Sequence, residues 1–169
     1  MIADFYPWKI DVDIEATKRF YDENDWSEDK AANQKFCDVM TGKQKQFFSA
    51  LGIDVHKVKA EERVHEIPDE EETPGGKIYV RTLDFLFCGT FLSIPDYQWN
   101  LYNDEEIVGM RLPETLEVVE MPEGEKLPVY DIDGWCCVFK HPFFRMEEKR
   151  FKQWDCGYVL GSILLMKDI

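Results

Sequence analysis

The side chains best able to perform acid–base, nucleophilic or metal chemistry in this sequence are its three histidines and five cysteines. His56 follows Asp54 in a predicted turn, His65 stands among acidic residues, and His141 precedes Pro142. The sequence has no HExxH and no CxxC…HxxxH arrangement, so the spacing that a zinc site requires is absent. We therefore interpret the histidines as surface or structural residues, and we expect no metal and no cofactor.

The cysteines are odd in number and have no CxxC spacing. A cysteine nucleophile needs a lowered pKa and a nearby base. Three of the cysteines stand among apolar or aromatic residues, where a thiol normally packs without reacting, and the other two have an acidic neighbour, which opposes thiolate formation. We expect free thiols, mostly buried, in a reducing cytoplasm. The first three are Cys88, Cys136 and Cys137, and the other two are Cys37 and Cys156.

Other catalytic motifs are absent as well. The sequence contains no GxSxG, no GxGxxG and no glycine-rich phosphate loop before a helix. The acidic run from 61 to 72 lacks the ligand spacing and the turn glycine of a calcium loop, so we predict a solvated loop there. These patterns favour a protein that is not an enzyme. The alternative is a small ligand-binding domain or enzyme with a pocket beside the central strand, lined by Cys88, Trp135 and Cys137.

Charge is the most unusual bulk property of the chain, because 34 acidic residues against 20 Lys and Arg give a formal net charge of −14. Nucleic-acid phosphates and anionic membranes are bound through clustered bases, so this balance argues against both kinds of partner. Bases alternate with aromatic residues between Lys140 and Lys152, but Glu147 and Glu148 interrupt them, and we favour a solvated helix face. The acidity fits either high solubility alone or an acidic face that attracts a basic protein.

The segment from 96 to 106 combines aromatic side chains with carboxylates. In a loop, Trp and Tyr beside acidic residues form a surface suited to docking a basic protein. The alternative, to which we give the same weight, is that Trp99 and Tyr102 belong to the core. The candidate binding residues are Asp96, Tyr97, Trp99, Tyr102, Asp104, Glu105 and Glu106.

Three helices are predicted in the N-terminal part, after an extended stretch that ends at Val12. Asp13 is suited to cap the first helix and Ser27 the second. Gly42 is placed to end the second helix, and Gly52 follows the third. The apolar residues that recur with helical spacing are Ile14, Thr17, Phe20, Tyr21, Ala32, Phe36, Val39, Met40, Phe47, Phe48 and Leu51.

The stretch from Gly75 to Leu92 is predicted to be the central strand of a sheet, because its second half is apolar on both alternating faces. Gly89 indicates a bulge or a point of close packing. Asp84 is the one residue in this half that burial does not explain, so a buried and paired Asp84 would be the place to begin a search for a site.

The rest of the chain is predicted to be mostly β. A short aromatic strand or turn is expected within 98–102. Strands are expected within 107–112 and 115–121, although the glutamates of the last also have helical spacing. Asp133-Gly134 predicts a two-residue hairpin turn, and Tyr158 to Met166 a buried final strand. Together with a short helix within 145–154, these elements predict a single α+β domain over residues 1–169, with N-terminal helices packed on a mainly antiparallel sheet.

The sequence is also expected to belong to the cytoplasm. Its longest apolar run, near the C-terminus, is about half the ~20 residues that a spanning helix needs. The first residues have neither the basic nor the apolar region of a secretory signal. We therefore expect no association with a membrane.

The N-terminal half resembles an uncharacterised bacterial protein family found in many Firmicutes. The matching residues are Trp8-Lys-Ile-Asp-Val-Asp13 with Thr17 and Tyr21, Lys35-Phe-Cys37, Phe47-Phe-Ser-Ala-Leu-Gly-Ile-Asp54 with Lys57 and Glu61, Gly75-Gly76, and Phe87-Cys-Gly-Thr-Phe91. Members often carry a cysteine-rich patch of which only Cys37 is present here, so no metal or redox role is implied. The resemblance implies a bacterial cytosolic domain and no activity. From the charge, the acid-flanked aromatics and the missing catalytic motifs, we predict a non-catalytic interaction protein, such as an immunity protein or a phage-type inhibitor.

Overall fold

In the computed structural model, described residues are 1–66, 77–93, 98–99, 109–111, 118–120, 129–140 and 157–168. Seven strands among them form one sheet, and every pairing in it is antiparallel. Three α-helices lie in the N-terminal part of the chain. The predicted α+β fold, with N-terminal helices and a mainly antiparallel sheet, is therefore confirmed.

The chain begins with a hairpin of two strands, β1 (Ile2–Phe5) and β2 (Trp8–Val12). The prediction of a single extended stretch up to Val12 was incomplete, because the chain turns at Tyr6 and Pro7. Alternate residues of both strands are buried, which is the pattern of strands with one face on the core.

The three helices are α1 (Ile14–Glu23), α2 (Lys30–Val39) and α3 (Gly42–Ala50). Asp13 caps α1 as predicted, and Gly52 follows α3 with a φ of 78°. The predicted cap of α2 was wrong: Asp29 caps this helix, whereas Ser27 donates hydrogen bonds from its backbone and hydroxyl to Asp25. Gly42 begins α3 instead of ending α2.

A 3₁₀ turn (Val55–Lys57) leads into β3 (Lys59–Glu66), which pairs with the long strand β4 (Lys77–Ser93). The prediction of a loop from residue 61 was wrong for this part. Ala60 is buried opposite Leu83, and the carboxylate of Glu62 lies 2.5 Å from Lys35 Nζ and 3.0 Å from Arg81 Nε. Pairing and ion pairs thus hold an acidic sequence in a strand.

The remaining strands are β5 (Gln98–Trp99), β6 (Gly109–Arg111), β7 (Val118–Glu120), β8 (Tyr130–Ile132), β9 (Trp135–Lys140) and β10 (Tyr158–Asp168). β5, β6 and β7 form a separate three-stranded sheet, so the ambiguous segment around Val118 is a strand. Asp133 and Gly134 have φ values of 51° and 92°, and the predicted hairpin turn between β8 and β9 is confirmed.

The order of the large sheet is β1-β2-β4-β10-β9-β8, and β3 also pairs with β4. β4 therefore lies at the centre, as the sequence predicted. One face of the sheet carries Phe85 and packs against α3, where the rings of Phe48 and Phe85 are 5.0 Å apart. Gly161 lies opposite Phe85, and a Cβ there would overlap the Phe85 ring. This aromatic face forms the core between helices and sheet.

Candidate functional site

α1 fills a gap in the edge of the central strand. β2 pairs with β4 from Gly89 onward and β3 pairs with it up to Asp84, so the backbone between these points has no strand on that edge among the described residues. Tyr21 Oη donates to Leu86 O at 2.8 Å and accepts from Leu86 N at 3.2 Å. Thr17 Oγ1 accepts from Cys88 N at 2.9 Å. Two side chains one helical turn apart thus replace a strand and fix α1 on the sheet.

Burial lets this attachment persist to higher pH than the ordinary pKa of tyrosine would allow. Tyr21 is buried, and desolvation raises its pKa well above the usual value for tyrosine. The hydroxyl therefore keeps the proton that it donates to Leu86.

An open cleft of about 520 Å³ lies at the N-terminal end of α1. Gly89 is a point of close packing there, as predicted, since a Cβ on it would stand 2.8 Å from Asp11 O. A second cleft of about 340 Å³ shares Gly89 and Thr90 with the first. The first cleft is lined by Met1, Asp11, Val12, Asp13, Ile14, Glu15, Cys88, Gly89 and Thr90.

The three carboxylates of this cleft already have partners within the chain. Asp11 accepts from the Met1 amino group at 3.2 Å, Asp13 caps α1 through Ala16 N at 2.9 Å, and Glu15 pairs with Lys18 at 2.8 Å. The described walls of the cleft hold no histidine and no free thiol. Its described lining therefore offers carboxylates, each already held by a partner within the chain.

The opposite end of α1 carries the densest acidic run in the described part of the chain. Residues 22–29 read Asp-Glu-Asn-Asp-Trp-Ser-Glu-Asp, and none of them is basic. Asp22 and Glu23 lie in the last turn of α1, which has no basic residue, and both side chains are exposed. Carboxylates at the negative end of a helix dipole oppose helix formation. Lys57 Nζ donates to Tyr21 O in the same turn and offsets part of this cost. The two carboxylates are thus less unfavourable for folding than the helix alone would make them.

Other acidic residues of the same run form ion pairs with lysines of the chain. Lys30 pairs with Asp25 and, together with Ser27, lowers the pKa of that carboxyl to about 2. Glu28 lies 3.2 Å from the buried Lys59 Nζ. Asp22 and Glu23 form no ion pair with the described residues. The run is visible in the sequence, but it also fits the polar boundary between two helices. It was therefore not predicted to be a binding surface.

The expectation that all cysteines are free was wrong at one position. Cys88 is disulfide-bonded, whereas Cys37, Cys136 and Cys137 are free thiols. Cys136 is exposed, and burial raises the pKa of the Cys137 thiol well above its ordinary value. Cys156 lies outside the described residues. Burial thus opposes thiolate formation at Cys37 and Cys137.

The alternative pocket of Cys88, Trp135 and Cys137 is not assembled by the fold. Cys137 is in register with Ile163, and Ile163 with Leu83, so Cys137 shares their face of the sheet. Cys88 is five residues beyond Leu83 in the same strand and so lies on the other face. Trp135 packs in the core against Phe36, with ring centroids 5.7 Å apart.

Asp84 is half-buried and paired, and its partners are those of a sheet. Its Oδ1 accepts from Ser162 Oγ at 2.7 Å, and Ser162 is its neighbour in register on β10. Lys59 is its neighbour in register on β3, and Lys59 Nζ itself lies 3.2 Å from Glu61. We therefore assign Asp84 to the internal polar pairing of the sheet.

Of the segment from 96 to 106, the structure describes the backbone of Gln98 and Trp99, and Trp99 pairs with Met110. The other candidate residues, Asp96, Tyr97, Tyr102, Asp104, Glu105 and Glu106, lie outside the described residues. The same holds for His141 and for most of the basic run from 140 to 152. His56 is exposed in the 3₁₀ turn, as expected for a surface histidine.

Within the described ranges, no group of three or more His, Cys, Asp or Glu side chains is arranged to hold a metal ion. None of the helices described is long and apolar enough to cross a membrane. No protein-family model matches this chain, and no curated protein or solved structure matches it either. The resemblance to a bacterial family therefore stays a prediction.

Proposed function

We propose that this protein is an acidic, non-catalytic interaction protein that binds a basic protein partner. An immunity protein directed against a basic toxin, or an inhibitor of a nucleic-acid enzyme, is the concrete form of this proposal. The observation that carries it is the exposed pair Asp22 and Glu23, which stands where the helix dipole makes negative charge unfavourable.

The net charge of −14 supports the same conclusion, because it draws a basic protein toward the chain and repels nucleic acid. Within the described ranges, no group of three or more His, Cys, Asp or Glu side chains is arranged to hold a metal ion. Rim charges of this kind mainly accelerate association and have a smaller effect on dissociation. The proposal therefore predicts that weakening these charges lowers the association rate more than it changes the dissociation rate.

The test begins with an affinity-tagged chain expressed in its native host and recovered at low salt, with bound proteins identified by mass spectrometry. The isolated partner is then measured for binding kinetics at low and at physiological salt. We expect a basic partner whose association rate falls several-fold as salt rises, with little change in dissociation rate. Acidic partners, or an association rate independent of salt, would contradict the proposal.

Matched variants test which carboxylates accelerate association with the basic partner. Asp22→Asn and Glu23→Gln are each expected to slow association by roughly twofold. The control is Asp38→Asn, because Asp38 is also an exposed acid in the last turn of a helix without basic residues there. Equal slowing in all three variants would show that only net charge matters and that the 22–29 run has no special part.

A second candidate function is the binding of a small ligand in the cleft at the N-terminal end of α1. Its volume of about 520 Å³ lies within the usual range for ligand sites of roughly 300–1,000 Å³. Native mass spectrometry of the protein purified without added ligands tests this idea. A bound small molecule that is lost on unfolding would favour it, and an unliganded mass would favour the protein partner.

We also propose a cytoplasmic location, which the free thiol of the exposed Cys136 supports. The disulfide at Cys88 favours an oxidising compartment instead. Rapid acid quenching of cells, followed by alkylation, reads the state of both residues directly. A reduced Cys88 in the cell supports the cytoplasm, and an oxidised Cys88 would contradict it.

A further inference from the structure

Lys59 is the one buried charged residue in the part of the chain that the structure describes. Its side chain is 9% exposed, and Nζ lies 3.2 Å from Glu28 Oε2 and 3.2 Å from Glu61 Oε1. A buried ammonium group is costly unless carboxylates compensate its charge. The burial of Lys59 therefore depends on the ionised state of these two glutamates.

The two carboxylates come from different parts of the chain. Glu61 stands two residues after Lys59 in β3, so both side chains lie on the same face of the strand. Glu28 belongs to the acidic run 22–29 between α1 and α2, and 55% of its side chain is exposed. The ion pair of Glu28 with Lys59 therefore attaches this run to the sheet.

A second contact attaches the same run next to the first. The Trp26 backbone N–H donates to Lys57 O at 3.0 Å, and the Trp26 side chain is fully buried. Lys57 ends the 3₁₀ turn that leads into β3, only two residues before Lys59. The Trp26 amide is thus protected from hydrogen exchange while the run lies against this turn.

The other charged side chains around Lys59 lie on β3, β4 and α2. Asp84 is its neighbour in register on β4 and accepts from Ser162 Oγ at 2.7 Å. Arg63 lies 2.8 Å from Glu61 and adds a second positive charge beside that carboxylate. The charged groups on the opposite face of β3 pair with one another, and they are Lys35, Glu62 and Arg81. Glu28 and Glu61 are therefore the acids in direct contact with the buried ammonium group.

We infer that Glu28, Glu61 and Lys59 form an acid-sensitive latch, which holds the 22–29 run on β3 at neutral pH and releases it in acid. Protonation of the two glutamates removes both counter-charges in contact with the buried ammonium group. That group regains water only when the run moves away from β3. This inference goes beyond the proposed function, because it concerns the free chain and requires no partner.

The ionisation of the glutamates sets the pH at which the latch opens. Desolvation raises the pKa of Glu61, but the hydrogen bond from Lys59 and the charges of Lys59 and Arg63 outweigh it, so the pKa lies below its ordinary value of 4.5. Such a carboxyl stabilises the fold above its ordinary pKa, and this contribution is lost as pH falls through the lowered value. The latch is therefore closed at neutral pH and opens below about pH 4.

The test is hydrogen exchange, followed by NMR on the free protein between pH 7 and pH 3. Each rate is compared with that of an unstructured chain at the same pH, which gives a protection factor. The protection factor of the Trp26 amide is expected to fall about tenfold. The reference is the Ile53 amide, which donates to Phe48 O at 3.0 Å after α3 and should keep its protection. Equal loss at Ile53 would show that the whole fold opens and would overturn the latch.

Lys59→Met removes the buried charge and keeps an apolar side chain of similar length. The protection factor of its Trp26 amide should differ by less than about twofold between pH 3 and pH 7. The matched control is Lys30→Met, which removes the partner of Asp25 within the same run and should keep the full loss in acid. The pKa of Asp25 is about 2, so this second ion pair persists in the wild type at pH 3.

Glu28→Gln provides a test at an exposed residue, where misfolding is not expected. It should lower the protection factor of the Trp26 amide at pH 7 about threefold, with no change at Ile53. A wild type that keeps its Trp26 protection at pH 3 would overturn the latch. So would a Lys59→Met protein that loses this protection in acid as the wild type does, or a Glu28→Gln protein with unchanged protection at pH 7.

Discussion

Tyr21 is the residue on which the attachment of α1 depends. Its hydroxyl is the hydrogen-bond partner of both Leu86 O and Leu86 N, in a buried position on the open edge of β4. Tyr21→Phe keeps the ring and leaves two buried backbone groups without that partner. We expect the free energy of unfolding to fall by about 1–3 kcal/mol, measured by urea denaturation.

The control for this substitution is Tyr6→Phe, which removes an exposed hydroxyl and should change stability by less than about 0.5 kcal/mol. The difference in the free energy of unfolding between Tyr21→Phe and the wild type should also depend on pH. Above pH 10 the unfolded tyrosine ionises while the folded one keeps its proton, so the wild type loses stability as pH rises and the difference shrinks. A difference that stays constant up to pH 11 would contradict the raised pKa of Tyr21.

The cysteines give a second prediction at this scale. In the native protein at neutral pH, iodoacetamide should label Cys136 quickly, because its thiol is exposed. Burial raises the pKa values of the Cys37 and Cys137 thiols, so both should react slowly. Unfolding with reductant should release more reactive thiols than unfolding without it, because reduction frees Cys88. Five thiols without reductant would show that Cys88 is not in a disulfide.

At the scale of elements, α1 carries negative charge at both ends with opposite consequences. Glu15 lies in the first turn, where the helix dipole favours a carboxylate, and it pairs with Lys18. Glu23 lies in the last turn, where the dipole disfavours it. Glu23→Gln should increase the free energy of unfolding by about 0.3–1 kcal/mol, and Glu15→Gln should decrease it by about the same amount. The melting temperature should rise in the first variant and fall in the second.

Each of these two variants is the control for the other, because both reduce the negative charge of the chain by one. A change caused by net charge alone would move both melting temperatures in the same direction. Stabilisation by Glu23→Gln together with slower association of a basic partner would establish a trade between stability and binding. Destabilisation by Glu23→Gln would remove the observation on which the proposed function depends.

Elements with local signals were predictable from the sequence. The Asp13 cap, the glycine after α3 and the Asp133-Gly134 turn each depend on a few adjacent residues, and all three are confirmed. The cap of α2 was not predictable in this way, since Asp25 binds Ser27 and leaves Asp29 to cap. β3 was missed because its pairing with β4 and its ion pairs with Lys35 and Arg81 involve residues that are distant in sequence.

At the scale of the whole molecule, the site was less predictable than the fold. The net charge can be read from the sequence. The position of α1 depends on where β2 and β3 end along β4, and no local sequence pattern predicts those positions. Thr17 and Tyr21 look like ordinary residues of an amphipathic helix until that gap is known.

The net charge of −14 also acts on the stability of the whole molecule, because like charges repel in the compact state. Salt screens this repulsion, so raising NaCl from about 10 mM to about 300 mM should increase the melting temperature by roughly 2–4 °C, corresponding to about 1 kcal/mol. The control is MgCl₂ at equal ionic strength, since the described residues hold no metal cluster. Equal shifts would establish general screening, whereas a much larger shift with Mg²⁺ would reveal a cation site, and a decrease with NaCl would show that ion pairs such as Lys59 with Glu28 dominate.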